Sequence, residues 1–153
     1  MERLVAGDPD RSAAIYVAVI SALIAGGHSN HNPWQPVTYI DATARSSAGP
    51  VAVSQVVTRP IPVEVQERVR EALAAHTEVR FVEDPQSVIQ PDSRVQDHGV
   101  LITLAPVPPT GRPLEIGARS YLGNLGSHSV TFIVDETDAQ WQVTGTTGVY
   151  AAS

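Results

Sequence analysis

The chain has 153 residues, of which 42% are hydrophobic and 17% are charged, so it can bury a core, and we expect a single α+β domain over residues 1–153. Sixteen acidic and ten basic residues give a formal net charge of −6. Every basic residue is an arginine, which excludes lysine chemistry, and the scatter of these arginines among acids argues against nucleic acid as a partner. The absence of cysteine excludes disulfides, thiolate metal sites and thiol nucleophiles.

The first predicted element is a helix over residues 9–25. Asp8 is a favourable N-cap, Pro9 suits the first helical position, and Gly26-Gly27 provides a stop. Because this segment is apolar nearly all round, we expect it to be buried under a sheet.

A membrane role is not indicated. The apolar run 13–25 is shorter than the about 20 residues that a spanning helix needs. Residues 1–12 mix acids with arginines, whereas a secretory signal begins with a positive region. We therefore expect a cytoplasmic protein without a membrane partner, with export by an atypical N-terminal signal as the alternative.

The middle of the chain predicts two strands and a second helix. Residues 37–41 alternate in polarity and residues 51–58 are rich in β-branched side chains, so the two are a candidate hairpin with a long loop. Residues 62–76 have helical periodicity and predict an amphipathic surface helix. Its apolar face is formed by Val65, Val69, Ala72, Leu73 and His76.

The second half of the chain predicts a run of strands. They cover residues 78–82, 99–107, 113–123, 128–136 and 141–147. The last three have short connections and predict an antiparallel meander, and Val88 in the long loop 83–98 indicates that this loop packs against the fold. The fold class is therefore α+β, with two helices packed on a curved antiparallel sheet of five to seven strands.

Histidines offer little catalytic signal. His28 and His31 are three residues apart without a nearby carboxylate, so we expect no metal there and no cofactor. His98 follows Asp97, and His128 lies between two serines, but no nucleophile elbow accompanies them. Histidines and serines at the start of a strand commonly form turns, so turn formation is favoured over catalysis here.

The richest group of polar side chains lies on residues 113–123. Glu115, Gly117, Arg119 and Tyr121 alternate there and face one way from the strand. Two interpretations are open: this face lines a concave ligand site, or it is solvated and Arg119 pairs with Gln142 or Thr144 across the strands. The first defines the candidate ligand-binding set Tyr39, Asp41, Arg119, Tyr121 and His128.

Five segments carry a resemblance to known proteins. Residues 16–24, 36–41, 98–107, 120–134 and 141–153 resemble a group of small actinobacterial α+β proteins, which implies a shared fold and assigns no activity. More distantly, the order of elements is similar to the cystatin-like cone of the NTF2-like superfamily. That superfamily includes small-molecule enzymes with an Asp–His or Asp–Arg pair inside the cone, and also binding and dimerisation domains.

Two functions follow as hypotheses. The first is a soluble, non-enzymatic interaction domain that binds a protein partner or a copy of itself through the open face or edge of the sheet. The alternative is a small NTF2-like cone enzyme or small-molecule carrier that uses a polar pocket around Asp41 and Arg119.

Overall fold

A computed structural model of the chain describes residues 8–25, 34–49, 55–123 and 126–152. Two α-helices, eight strands and three short 3₁₀ turns (Ser46–Ala48, Pro85–Val88 and Gln96–His98) make up the regular structure of this part of the chain. In chain order the helices and strands are α1 (Pro9–Ala25), β1 (Val37–Asp41), β2 (Thr43–Arg45), β3 (Thr58–Pro60), α2 (Val63–Leu73), β4 (Glu78–Val82), β5 (Val100–Leu104), β6 (Leu114–Gly123), β7 (Gly126–Thr137) and β8 (Gln140–Ala152).

The predicted bounds of α1 are confirmed, and so is its burial. Asp8 caps the helix, because its Oδ1 accepts a hydrogen bond from the backbone N–H of Asp10 at 2.9 Å. Ile15, Val19 and Ile20 are fully buried on the sheet and α2. The two glycines predicted to end the helix lie outside the described residues.

The six strands of the main sheet lie in the order β4-β1-β5-β6-β7-β8. The predicted α+β class, with two helices on a sheet of this size, is confirmed, and the sheet is open. It is mixed, however, because β1 runs parallel to both β4 and β5, so the prediction of a wholly antiparallel sheet was wrong at this side. The reason is α2, which acts as a crossover and returns the chain so that β4 enters in the same direction as β1.

The predicted hairpin between residues 37–41 and 51–58 is also wrong. Both sides of β1 are taken by strands that come later in the chain. A separate two-stranded sheet forms instead from β2 and β3, with Ala44 opposite Arg59. Residues 51–54 lie outside the described part of the chain.

The two helices cover one face of the main sheet, which we call the helix face. There α1 and α2 pack on a large apolar cluster that includes Ile40, Ile102 and Ile116. From α2, the buried side chains are Val65, Val69 and Leu73. The prediction that Ala72 and His76 belong to this apolar face was wrong. Ala72 lies on the exposed side of α2, and His76 lies beyond the end of the helix at Leu73 and is exposed.

The antiparallel meander of β6, β7 and β8 is confirmed. Between β7 and β8 the chain turns through Asp138 and Ala139, whose φ angles of 52° and 64° are those of a tight hairpin turn. β8 continues to Ala152, beyond the predicted end at residue 147. Two register irregularities with β7 interrupt its pairing, and each accommodates an extra residue of β8.

The opposite face of the main sheet, which we call the loop face, is covered by irregular chain. The segment 83–98 closes a small apolar cluster there through Val88 and Val95. The segment 46–49 crosses β6 so closely that a Cβ on Gly117 would lie 2.7 Å from the backbone of Gly49. This close approach requires glycine at position 117.

Candidate functional site

Strand register places the polar side chains of the loop face in two rows. One row contains Arg80, Tyr39, Leu101 and Tyr121 on four adjacent strands. Along a strand, every second side chain points to the same face. Asp41 lies two residues from Tyr39, and Arg119 lies two residues from Tyr121, so both belong to the next row of the loop face. The loop face therefore carries four of the five predicted ligand-binding residues.

Tyr39 is buried, and its hydroxyl is the centre of a hydrogen-bond network. It donates to Oδ2 of Asp97 and accepts from Nε2 of Gln96 at 3.2 Å and from Nη1 of Arg80 at 3.4 Å. Burial, followed by the hydrogen bond to Asp97, raises the pKa of Tyr39, so the phenol stays protonated and acts as a donor. The network fixes the segment 83–98 to β1.

The backbone beside this network has an unusual conformation. Asp97 and His98 have φ angles of 59° and 53°, in the left-handed region that few residues other than glycine adopt. The Asp97 carboxylate is held by the Tyr39 hydroxyl and lies 3.4 Å from Arg80. These contacts explain how the turn is maintained.

Tyr121 lies close to Tyr39 in the same small cluster, as the sequence predicted for a shared face. Both side chains pack with Leu101, which lies between them on β5. The Tyr121 hydroxyl donates to the carbonyl oxygen of Ser93 at 2.7 Å. Both tyrosines thus attach the covering loop to the sheet.

Asp41 is buried and bonded within its own segment. Its Oδ1 accepts from the backbone N–H of Thr43 at 3.0 Å, and its Oδ2 accepts from Nε of Arg45 at 2.7 Å. The carboxylate therefore stabilises the bend between β1 and β2, and the ion pair with Arg45 neutralises its charge.

Arg119 bonds to a different part of the structure. Its Nε donates to Oγ of Ser129 at 3.1 Å and its Nη2 donates to the carbonyl oxygen of Ser47 at 2.5 Å. The predicted partners on the last strand, Gln142 and Thr144, are not the ones used, because register places Arg119 opposite Ser129, whereas Gln142 lies opposite Asp135, six residues further along β7. Arg119 and Asp41 are thus not brought together as a pair.

His128 lies on the other side of the sheet from the rest of the predicted set. It pairs in register with Ser120, whereas Arg119 pairs with Ser129, and neighbouring positions on a strand face opposite ways. The structure therefore separates His128 from the Asp97 carboxylate, which is bound to Tyr39 on the loop face.

Four surface grooves of about 520 to 710 Å³ are lined by described residues, and the five predicted ligand-binding residues line none of these four. Within the described ranges no group of three or more histidine or acidic side chains could hold a metal ion, and His28 and His31 lie outside those ranges. Neither described helix is long and apolar enough to cross a membrane.

Sequence reasoning missed the partners of the predicted residues. Arg80, Gln96, Arg45 and Ser47 bind the polar side chains of the loop face, but their places depend on parallel pairing and on loop crossings. One feature of the last strand could be read directly from the sequence: residues 140–152 contain no charged residue and no proline.

No family model, no curated protein and no solved structure matches the chain. The likeness to small actinobacterial proteins and to the cystatin-like cone stays a prediction.

Proposed function

We propose that the chain is an interaction module that associates with a second copy of itself through β8. Antiparallel pairing of two β8 strands would join the two open sheets into one, with main-chain hydrogen bonds as the chief attraction. The observation that carries this proposal is the edge itself: β8 has thirteen residues, none charged and none proline.

The two edges of the sheet differ in the features that control such pairing. β4 has five residues, and its exposed Glu78 and Arg80 form an ion pair at 2.6 Å. Short edge strands with charged side chains discourage the addition of another strand. β8 lacks these features and, within the described chain, pairs only with β7.

The side chains of β8 favour a second copy as the partner. Its exposed described positions are Gln140, Gln142, Thr144, Thr146 and Thr147. Uncharged side chains that donate and accept hydrogen bonds are complementary to themselves, and threonine pairs across antiparallel strands are favourable. Elsewhere the net charge of −6 repels a copy, so an uncharged edge is where two chains approach at least electrostatic cost.

The two irregularities in β8 limit where a copy can pair. They divide β8 into three short runs in regular register with β7, at residues 140–143, 145–147 and 150–152. Bulges bend an edge strand and shorten its usable length. We therefore expect a reversible dimer and not an open-ended assembly.

The alternative function, a small cone enzyme or carrier around Asp41 and Arg119, needs a cavity with converging polar groups. Asp41 instead bonds to Thr43 and Arg45, and Arg119 bonds to Ser47 and Ser129. The geometry supports the interaction module better.

Sedimentation equilibrium over a wide range of protein concentration tests the proposal. The wild type should show a monomer–dimer equilibrium. Thr146→Lys should weaken the dimer at least about tenfold, because a lysine on an edge strand discourages the addition of another strand and a symmetric dimer contains the change twice. Thr110→Lys, the same change at an exposed loop position, should leave it unchanged. A wild type that is monomeric throughout, or equal effects of the two substitutions, would contradict the proposal.

A further inference from the structure

A groove of about 520 Å³ lies on the loop face, and neither β8 nor the predicted ligand-binding residues line it. It is bounded by β3, the segment 105–109 and the first half of β6. Its volume falls within the about 300–1,000 Å³ that is typical of small-molecule sites. The groove is therefore a candidate small-molecule site, and this candidate is independent of association through β8.

Two opposite charges line this groove without pairing. Arg59 and Glu115 are both exposed, and in the described part of the chain neither side chain makes a hydrogen bond or an ion pair. Apart from Arg70, each of the other described arginines uses its side chain in a hydrogen bond or an ion pair. Arg59 and Glu115 thus retain their full binding capacity toward a ligand.

The walls of the groove are apolar and stiff. Pro106, Pro108 and Pro109 line it together with Val57 and Val107. Proline rings fix the backbone φ angle, so these walls lose little conformational freedom when a ligand binds. They offer apolar contact to a ligand that binds the two charges.

The floor of the groove is formed partly by Gly117, which lacks a side chain. A Cβ at this position would meet Gly49 at 2.7 Å, so position 117 must remain bare. The close crossing of the segment 46–49 over β6 thus excludes a side chain at this point of the groove.

We propose that this groove binds a small zwitterion, a molecule with a free ammonium and a free carboxylate on an apolar body, such as a dipeptide of apolar residues. Glu115 would receive the ammonium and Arg59 the carboxylate, by charge-assisted hydrogen bonds. A simple anion would face the uncompensated charge of Glu115, and a simple cation that of Arg59, so the pair of charges selects against both.

Isothermal titration calorimetry with the dipeptide Leu-Leu is the first test. The free dipeptide should bind saturably at one site per chain. Its N-acetyl and C-amide forms should each bind about tenfold more weakly, because each lacks one charge. Absence of saturable binding, or equal binding of all three forms, would overturn the proposal.

Variants then assign each end of the ligand. Arg59→Gln should weaken the binding of Leu-Leu about tenfold, and the C-amide form should then bind no more weakly than Leu-Leu itself. Glu115→Gln should have the same effect on Leu-Leu, and for this variant the N-acetyl form should bind no more weakly than Leu-Leu. Arg70→Gln and Glu67→Gln, which change exposed charges on α2 outside the groove, should bind like the wild type. All four positions are exposed, so the variants should fold. Binding that is insensitive to both groove variants would place the ligand elsewhere and overturn the assignment.

Discussion

The two faces of the main sheet are covered in different ways. The helix face packs against two helices through one large apolar cluster, whereas the loop face combines a small cluster with hydrogen bonds that involve Tyr39, Asp41 and Arg119. The free energy gained by burying apolar side chains depends mainly on the buried area. A hydrogen bond, in contrast, requires its donor and acceptor at a defined distance and angle. The difference predicts that the helix face accounts for most of the stability and that the loop face fixes the position of the crossing segments.

The largest effect is expected on the helix face. Ile20 in α1 is fully buried, so Ile20→Asp would place a carboxyl group in an apolar cluster. The cost is several kcal/mol, a large part of the about 5–15 kcal/mol that stabilises a domain. Circular dichroism should show an unfolded or strongly destabilised protein.

The matched control for this variant is Ala14→Asp on the exposed side of the same helix. It should cost less than about 1 kcal/mol, as is usual for surface changes. An Ile20→Asp variant that melts close to the control would place the main core elsewhere.

A smaller effect is expected where the segment 46–49 crosses the loop face. Gly117→Ala would put a Cβ at 2.7 Å from the Gly49 backbone and should cost about 1–3 kcal/mol through overpacking. Chemical denaturation measures this loss. Gly145→Ala is the control, because its Cβ would meet only Ile133 at an ordinary 3.7 Å. Equal stability of the two variants would show that the crossing is looser than described.

The smallest effect concerns the polar side chains of the loop face. Arg119→Ala removes bonds to Ser47 and Ser129 and should cost about 1–2 kcal/mol. Asp41→Asn breaks the ion pair with Arg45, and the double variant should be additive within about 0.5 kcal/mol, because the two sites share no partner. Denaturant melts of the single and double variants measure this. Coupling above about 1 kcal/mol would instead favour the polar pocket around Asp41 and Arg119.

Features that depend on neighbouring residues could be predicted from the sequence. The bounds of α1 follow from a local cap and an apolar run, and the meander follows from short connections. The polar face of β6 also follows from simple alternation, which correctly grouped Arg119 with Tyr121.

Features that depend on distant residues could not be predicted in this way. The strand 37–41 is buried at every position, so its pattern does not reveal that its neighbours are β4 and β5. The covering of the loop face depends on where the segments 46–49 and 83–98 cross it, and no periodicity reports such crossings. For the same reason the predicted ligand-binding set included His128, whose face is set by register.

The position of β1 between two later strands has a consequence for the order of folding. The meander connects near neighbours in sequence, but β1 can pair on one side only after residues 78–82 are available, and on the other only after residues 100–104. Pairing across long stretches of chain slows folding, because the intervening loop must be ordered first. During synthesis β1 is made before both of its neighbours. We therefore expect the pairing of β1 with β4 and β5 to set the rate at which the whole structure forms.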